Sequence, residues 1–209
     1  MKTFTILLNG DVYVTDRLCS QIRESRVIAA DGGMRHAEAL RVMPELWIGD
    51  FDSSDEALLK KYGDVPREVF SVDKDATDGA LACEKALQQG AQRLILCGAF
   101  GNDRSDHSFS HIVQAIMVAE KGIPVFLTSG REEGWPVVPN AHPYDLLDGC
   151  LFSLIGLSDL KGLTLQGVQW PLCDKDVPLG SSLTLSNRVD GAFCCHLQHG
   201  KAIILASVL

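Results

Sequence analysis

The chain of 209 residues lacks several patterns that would assign it to a class at once. No segment approaches the run of about 20 apolar residues that a membrane-spanning helix needs, and its apolar start is too short for a signal peptide. It contains no C-x-x-C, no G-x-x-x-x-G-K-[ST], no G-x-G-x-x-G and no G-x-S-x-G sequence. These absences argue against zinc-ribbon and thioredoxin-like sites, a P-loop, a dinucleotide fingerprint and a hydrolase nucleophile elbow.

Basic residues are also scarce, since 19 Lys and Arg stand against 27 Asp and Glu, for a net charge of −8. This balance argues against broad electrostatic binding to nucleic acid or to an anionic membrane. It does not exclude a phosphorylated ligand, because a bound metal ion can reverse the local charge. The seven cysteines are scattered and odd in number, which favours buried, reduced thiols in a cytoplasmic protein.

The first 129 residues alternate between strand-like and helical patterns. Apolar runs predict strands at 4–8, 26–30, 46–48, 93–97 and 124–128. Helical spacing of apolar residues predicts helices at 77–88 and 106–120. Buried strands that alternate with helices indicate an α/β fold with an open, mostly parallel sheet flanked by helices.

From about residue 140 the pattern changes to short alternating strands, which predicts an antiparallel arrangement. The alternation slips by one position at Gly167, which predicts a β-bulge. Residues 181–186 are expected to form a strand with Leu183 and Leu185 inward, and His199-Gly200 to turn a hairpin. The Gly- and Pro-containing segment 129–143 is interpreted as a linker.

Acidic residues are concentrated where predicted strands end. In an open α/β sheet, ligands bind outside the carboxyl ends of the strands, so these carboxylates should converge there. Carboxylates brought together resist ionisation unless a cation lies among them, and Mg²⁺ prefers such oxygens together with substrate phosphates. The sequence therefore predicts a divalent-metal site for a phosphorylated substrate. The acidic residues concerned are Asp31, Asp50, Asp52, Asp78, Asp103 and Asp106.

Each of these motifs also has a structural interpretation. A single Asp after a strand is most often a helix N-cap or turn residue. Asp50 and Asp52 are harder to explain in that way, since in extended backbone they would point to the same side and Phe51 to the other. Gly49 before them permits close approach of the backbone to a ligand.

Basic and aromatic residues near these motifs leave similar alternatives open. Lys74 and Arg104 could neutralise phosphate charge or form ordinary surface ion pairs. His107 and His111 have the i, i+4 spacing of a zinc pair but lack the H-E-x-x-H pattern. Trp170 could be a core residue or a stacking platform for a flat ring. The Ser186-Asn187 pair could serve a turn or hydrogen-bond a heterocycle.

Taken together, the order and spacing of these motifs resemble the thiamine pyrophosphokinase family over nearly the whole chain. The resemblance implies an α/β catalytic domain at 1–135 that binds ATP and Mg²⁺. It also implies a smaller, thiamine-binding antiparallel β-sandwich domain at 144–209. The motifs are Asn9-Gly10, Asp31-Gly32-Gly33, residues 49–53, Lys74, Thr77-Asp78, residues 98–101, Arg104, Asp106-His107, residues 167–170 and Ser186-Asn187.

The resemblance further implies transfer of the pyrophosphoryl group of ATP to the hydroxyl of thiamine, with release of AMP, by a homodimer whose sites lie at the subunit interface. Asp50, Asp52 and Asp78 would hold the metal. Catalysis would use these three together with Arg104 and Asp31, and either Asp31 or Asp78 is the candidate base. The implied substrate-binding residues are Asn9, Gly10, Gly32, Gly33, Ser53, Lys74, Thr77, Asp106, His107, Trp170, Ser186 and Asn187.

One departure from the family pattern G-x-x-G-G-R-x-D-H is an extra residue, with Asn102-Asp103 in place of the second glycine. Since Asn and Asp tolerate left-handed backbone, the turn is expected to survive. Three alternatives remain open from the sequence: a diphosphokinase for another heterocyclic alcohol such as a pterin, a non-catalytic nucleotide or metabolite sensor, and a protein-interaction module.

Overall fold

The computed structural model describes residues 1–51, 56–70, 76–101, 103–139 and 143–208. Three predicted site residues, Asp52, Ser53 and Lys74, lie outside these ranges. The chain forms two compact units. The first comprises Met1–His111 and Thr128–Gly130, and the second comprises Ile112–Leu127 and Arg131–Leu209. The functional domains expected at 1–135 and 144–209 have different bounds from these two structural units and remain a prediction.

The first unit contains a parallel sheet in the order β5-β1-β2-β3-β4. Its core strands are buried along almost their whole length, and Phe4, Ile28 and Leu94 have no exposed surface. This matches the apolar runs of the sequence, because a strand covered on both faces needs no polar alternation. The strands are β1 (Thr3–Leu7), β2 (Arg26–Ala30), β3 (Leu46–Gly49), β4 (Arg67–Val69) and β5 (Arg93–Cys97).

Helices follow the strands of this unit. The two helices predicted from apolar spacing are confirmed as α3 (Asp78–Gln88) and α4 (Ser105–Glu120). The division between the two units falls within α4, after His111. The remaining helices are α1 (Asp16–Ile22), a 3₁₀ helix (Asp31–His36) and α2 (Glu56–Lys61). Among the residues that the structure describes, no helix has the length and apolar character needed to cross a bilayer.

The second unit is built mainly from antiparallel strands, as the alternating pattern predicted. Their order is β10-β9-β11-β8-β12-β7-β6. Every neighbouring pair in this order, from β10–β9 to β12–β7, is antiparallel. The mixed α/β fold class is therefore confirmed. The strands are β6 (Val125–Thr128), β7 (Glu132–Val137), β8 (Leu151–Gly156), β9 (Leu160–Val168), β10 (Leu172–Val177), β11 (Asn187–His196) and β12 (Ala202–Ser207).

The interpretation of 129–143 as a linker is wrong over β7. This strand pairs with β12 along its whole length, and Trp135 and Val137 are buried. Gly134 and Pro136 had indicated a loop. Burial of the apolar side chains between them outweighs this local preference, because sheet pairing depends on packing more than on intrinsic propensity.

Two further expectations for the C-terminal strands are wrong. Residues 181–186 form a turn, with Leu183 and Leu185 each exposed by more than 40%, while Thr184 between them is buried. The buried Thr184 hydroxyl donates to the Leu154 carbonyl at 2.6 Å. This hydrogen bond holds the Thr184 side chain inward although the segment is not a strand. His199-Gly200 does not turn a hairpin, because the strands on either side of it, β11 and β12, both pair with β8.

The irregularity expected at Gly167 is present, but the extra residues belong to the neighbouring strand. Val168 pairs with Val189 and Gln166 with Cys194, so β11 is longer than β9 across this interval. Gly167 has φ +65, and a Cβ there would lie 2.0 Å from the Ala192 carbonyl oxygen. The glycine therefore admits the bulged partner strand at close range.

The cysteines are less uniformly buried than expected. All seven are unpaired; Cys83 and Cys97 are buried, whereas Cys173 and Cys194 are exposed. Burial raises the pKa of the Cys83 and Cys97 thiols to about 12. These two thiols therefore behave as small apolar core groups at neutral pH.

Candidate active site

A cavity of about 250 Å³ lies in the first unit where β1, β2 and β5 end. Its wall includes the start of α3 and the first turn of α4, so loops and helix N-termini surround it. This is the edge of a parallel sheet at which ligands bind. The cavity brings together seven of the predicted site residues, namely Asn9, Gly10, Asp31, Thr77, Asp78, Arg104 and His107.

The turn after β1 is locked against the turn after β5. Leu8 N–H donates to the Cys97 carbonyl at 2.7 Å and Gly10 N–H to the Gly98 carbonyl at 2.9 Å. A Cβ on Gly10 would lie 2.3 Å from the Gly98 oxygen and 2.4 Å from the Phe100 oxygen. Only glycine fits here, so the sequence places the Asn9-Gly10 backbone at the cavity wall with little freedom.

Two basic residues that the sequence analysis missed hold this turn from the other side. Arg35 Nη2 donates to the carbonyls of Asn9 at 2.8 Å and Gly10 at 3.1 Å. His36 Nε2 lies 2.9 Å from the same Gly10 oxygen. Burial, together with the Arg35 charge, lowers the pKa of His36 below its usual value. Their position after Asp-Gly-Gly gave no motif that could have identified them.

Asp31 begins the 3₁₀ helix after β2 in a left-handed conformation, with φ 43. The Trp47 indole N–H donates to its carbonyl at 2.9 Å, which fixes the peptide group that follows this strained residue. A Cβ on Gly32 would lie 2.6 Å from Asn9 Oδ1, and one on Gly33 only 2.1 Å from the Leu7 carbonyl oxygen. The Asp-Gly-Gly sequence therefore brings a carboxylate close to the end of β1, and strain of this kind is common at functional sites.

Asp50 follows β3, beside the end of β2. A Cβ on Gly49 would lie 3.3 Å from Asp31 Cα, so Asp31 and Asp50 emerge from two closely spaced backbones. The expectation of extended backbone here is wrong, because Phe51 has φ 62 and its ring packs edge-on against Trp47 at 5.0 Å. The same-side argument for the two aspartates therefore fails, and Asp52 lies outside the described residues.

Asp78 is the first residue of α3, and Thr77 is its N-cap. Thr77 Oγ1 accepts from Ala80 N–H at 3.2 Å, so this hydroxyl stabilises the helix start. A carboxylate in the first turn is favoured by the helix dipole, and a helix N-terminus also favours phosphate oxygens. The motif thus presents one carboxylate and a helix N-terminus to the cavity.

Arg104 lines the cavity and is held by two neighbours on α4. Its Nε and Nη2 donate to both carboxylate oxygens of Asp106, at 3.0 and 2.9 Å, and Nη2 lies 2.5 Å from His107 Nε2. The Arg104 guanidinium lowers the pKa of Asp106 to about 2. The left-handed turn expected before it is confirmed at Asp103, with φ 49.

His111 is a buried cavity residue that the sequence analysis considered only as half of a zinc pair. Its Nδ1 lies 3.1 Å from the Ala99 carbonyl, which can only accept, so Nδ1 carries the proton. Its Nε2 lies 3.7 Å from the position of a Cβ on Gly79 in α3. Its i, i+4 spacing from His107 was the signal that could have found it, since both residues line the cavity.

Acidification provides a test of the buried His111 imidazole and the half-buried His36 imidazole. Burial lowers the pKa of His36 and of His111, so the unfolded chain binds more protons than the folded chain below pH 6.5. The free energy of unfolding should therefore fall as the pH falls from 6.5 toward the lowered pKa values, and rise with increasing pH. Calorimetric Tm values between pH 5 and 7.5 would measure this slope.

His111→Asn should reduce that slope, because an asparagine amide can still donate to the Ala99 carbonyl but does not titrate. Ser110→Asn, which introduces the same amide at the exposed neighbouring position and removes no titrating group, is the control and should leave the slope unchanged. Equal slopes in the wild-type chain and His111→Asn would contradict the assignment of a buried neutral imidazole.

The donor set of the cavity is suited to a hard cation. Asp31 and Asp78 both line it, and Mg²⁺ in phosphoryl-transfer sites typically takes one or two carboxylates plus substrate phosphate oxygens. Within the described ranges, no group of three or more His, Cys, Asp or Glu side chains is arranged to hold a metal by itself. The cavity therefore fits a cation that arrives with a polyphosphate better than a closed protein site.

The residues predicted to contact the second substrate lie in the second unit. Trp170 is 56% exposed in the bend between β9 and β10, so its interpretation as a core residue is wrong. Ser186 is exposed, with φ 57, and its N–H donates to Ser153 Oγ at 3.0 Å. Asn187, in contrast, is 4% exposed and hydrogen-bonds the Trp170 backbone.

Two family models match this chain. The thiamin pyrophosphokinase catalytic-domain family matches residues 20–127, and the family's vitamin B1 binding domain matches residues 142–200. The thiamine pyrophosphokinase of Bacillus subtilis is 26% identical over 194 residues, covering 90% of each chain.

Solved structures give the same fold. The crystal structure of thiamine pyrophosphokinase from Bacillus subtilis superposes with a TM-score of 0.86 at 24% identity, covering 99% of both chains. Thiamin pyrophosphokinase from Candida albicans superposes with a TM-score of 0.80 at 14% identity, covering all of this chain and 89% of the other.

The two matched domains define an ATP-dependent diphosphokinase, an enzyme of the transferase class. The chain belongs to the thiamine pyrophosphokinase family, whose two domains it matches in order. Its activity is therefore transfer of the pyrophosphoryl group of ATP to thiamine, giving thiamine diphosphate and AMP. Thiamine is thus favoured over a pterin alcohol as the acceptor, and an enzyme over a sensor or interaction module.

Proposed function

We propose that the cavity of the first unit is the site at which this chain binds ATP and carries out the transfer. The observation that carries this proposal is the convergence on one cavity of Asp31, Asp78 and Arg104 from three separate segments. The walls also contain backbone turns and the start of α3, which suit a polyanion. Phosphoryl transfer depends mainly on positioning and charge neutralisation, which these groups supply.

We assign Asp50, Asp52 and Asp78 as the residues that would hold Mg²⁺. When bound, the ion would neutralise phosphate charge and orient the polyphosphate. Arg104 is preset beside the cavity by Asp106 and could shift one hydrogen bond to a phosphate oxygen, since a guanidinium has five donors. Asp31 or Asp78 is the candidate acceptor of the hydroxyl proton of thiamine. Ser53, Lys74, Thr77 and His107 are proposed to contact ATP.

A stoichiometric assay tests the function directly. With Mg²⁺, ATP and thiamine, the purified chain should release one AMP for each thiamine diphosphate formed, and little AMP without thiamine. A pterin alcohol offered in place of thiamine should give no product. Faster turnover of the pterin alcohol, or ATP binding with no AMP release in any mixture, would contradict the proposal.

Trp170 is proposed as the platform on which a thiamine ring stacks, since this large aromatic side chain is exposed. Trp170→Ala should raise the KM for thiamine about tenfold or more, because stacking on an aromatic side chain contributes about 1–3 kcal/mol. The KM for ATP should stay within about twofold. Leu179→Ala, which also removes an exposed apolar side chain of this unit, is the control. Equal effects on both KM values would count against the platform.

We also propose that the chain works as a homodimer with its substrate sites at the subunit interface. Phe109, Val113 and Met117 recur every four residues on α4 and are 56%, 40% and 55% exposed. Such an apolar stripe on a helix is typical of an interaction surface. A cytoplasmic location is proposed separately, on the basis of the seven unpaired cysteines, and fractionation of cells expressing the tagged chain would test it.

A charge in the middle of this stripe tests the dimer. Val113→Glu should convert dimers to monomers at micromolar concentration, because a buried unpaired carboxylate is costly in an interface. Light scattering coupled to gel filtration measures the mass. Ser110→Glu adds the same charge beside the stripe and should leave the mass unchanged. A dimeric Val113→Glu chain would show that this stripe is not the interface.

A further inference from the structure

The bend that carries Trp170 has its backbone held by the side chain of Asn187. Asn187 Oδ1 accepts from Trp170 N–H at 3.1 Å, and Nδ2 donates to the Trp170 carbonyl at 2.9 Å. One amide therefore satisfies both backbone groups of a single residue. The orientation of the amide is unambiguous, because the backbone N–H can only donate and the carbonyl can only accept.

The same amide has little capacity left for a ligand. Oδ1 also accepts from Arg188 N–H at 2.8 Å, so both of its lone pairs are used. The side chain is only 4% exposed. A substrate could reach at most the second Nδ2 proton. These hydrogen bonds and this low exposure therefore argue against direct recognition of thiamine by Asn187.

The backbone of Trp170 lies in a short bend between two strands. It lies between β9, which ends at Val168, and β10, which begins at Leu172. The neighbouring Gln169 N–H donates to the Arg188 carbonyl at 2.9 Å, so the bend is held along the start of β11. A large exposed indole on an unheld bend would sample many orientations, and ordering it on binding would reduce affinity.

We propose that Asn187 is a positioning residue that fixes Trp170 as a preformed aromatic platform, rather than a group that contacts substrate. This inference rests on the proposed role of Trp170 in binding thiamine. It reassigns the second member of the Ser186-Asn187 pair, and it leaves Ser186 as the exposed member available to the ligand.

A double-mutant cycle separates positioning from direct contact. Asn187→Ala should raise the KM for thiamine about fivefold or more, with kcat and the KM for ATP within twofold. In the Trp170→Ala background, the same substitution should change the KM for thiamine less than twofold, because there is no platform left to position. Multiplicative effects of the two substitutions would overturn the proposal.

A second readout uses no substrate, so it distinguishes this proposal from the proposed function. Trp47 and Trp135 are buried, and Trp170 is the exposed tryptophan. Fast depolarisation in time-resolved tryptophan anisotropy should increase in Asn187→Ala, and this increase should be absent when Trp170→Phe is added to that variant. Unchanged anisotropy would overturn the positioning role. If instead anisotropy responds but Trp170→Ala leaves the KM for thiamine unaltered, the positioning role stands and the stacking role of Trp170 fails.

If Asn187→Ala does not fold, a second substitution at the same position can replace it in the test. Asn187→Asp retains the Oδ1 acceptor but sets a carboxylate oxygen against the Trp170 carbonyl, so it should give the same KM and anisotropy changes. Gln198→Ala is the matched control, since it removes a side-chain amide that bonds Asp174 Oδ1 at 2.8 Å in the same unit. This control should alter neither the KM for thiamine nor the anisotropy.

Discussion

Replacing Asp78 by Asn is expected to lower kcat for thiamine diphosphate formation by about 10²- to 10³-fold, the usual cost of removing one preorganised electrostatic group. Asn has the same shape, and Thr77 still caps α3, so the helix should form normally. What is lost is a negative charge at the cavity wall, where the cation that accompanies ATP is proposed to bind. Steady-state kinetics at several Mg²⁺ concentrations would measure the effect.

The dependence on Mg²⁺ is the specific part of this prediction. If Asp78 holds the cation, Asp78→Asn should need more Mg²⁺ to reach half its maximal rate, whereas a purely structural role would leave that concentration unchanged. Asp64→Asn removes an exposed carboxylate elsewhere in the same unit and serves as the control. Activity within about threefold of wild type, at unaltered Mg²⁺ requirement, would remove Asp78 from the metal assignment.

The position of the cavity could be predicted from the sequence because the patterns that indicate it are local. Carboxylates after apolar runs identify strand ends, and Gly-Gly and Asn-Gly mark backbone that passes close to other groups. Asp31 was predicted in this way, whereas Asp78 was predicted from the Thr-Asp motif of the family resemblance, and both line the cavity. Strand ends are set by a few consecutive residues, so a pattern of that length is sufficient to find them.

Groups that reach the site from elsewhere in the fold could not be predicted in the same way. Arg35 bonds the carbonyls of Asn9 and Gly10, about 25 positions away in the chain. His111 reaches the cavity only because α4 packs with its Nδ1 against Ala99. These contacts are long-range, and a charged residue without a motif is more often a surface group.

The exposed turn at 181–186 shows the opposite error, in which a local pattern was given too much weight. Leu183 and Leu185 alternate with polar residues as in a half-buried strand, yet it is Thr184 that is buried. Alternation records that successive side chains point to opposite sides, and it does not say which side faces the core. The hydrogen bond from Thr184 to the Leu154 carbonyl supplies that information, and it is tertiary.

Substitution of Gly33 by Ala is expected to lower the free energy of unfolding strongly. The new Cβ would lie 2.1 Å from the Leu7 carbonyl oxygen and 2.5 Å from the Leu7 carbonyl carbon. Leu7 lies in β1, which pairs with strands on both sides, so the backbone there has no room to withdraw. A loss of about 3 kcal/mol or more is expected, which lowers Tm by about 6–12 °C in a chain of this size.

Gly63→Ala is the matched control, because its Cβ would meet nothing closer than 3.4 Å and its φ is not in the left-handed region. That variant should keep or slightly raise Tm, since alanine restricts the unfolded chain. Calorimetry compares the two, and a Gly33→Ala chain within 2 °C of wild type would contradict the steric argument. If a partly destabilised Gly33→Ala chain still folds, its kcat should fall as well, because the backbone that must shift carries Asp31 two residues earlier. Loss of stability and loss of turnover would then have one cause, the close packing that brings a strained carboxylate against the end of β1.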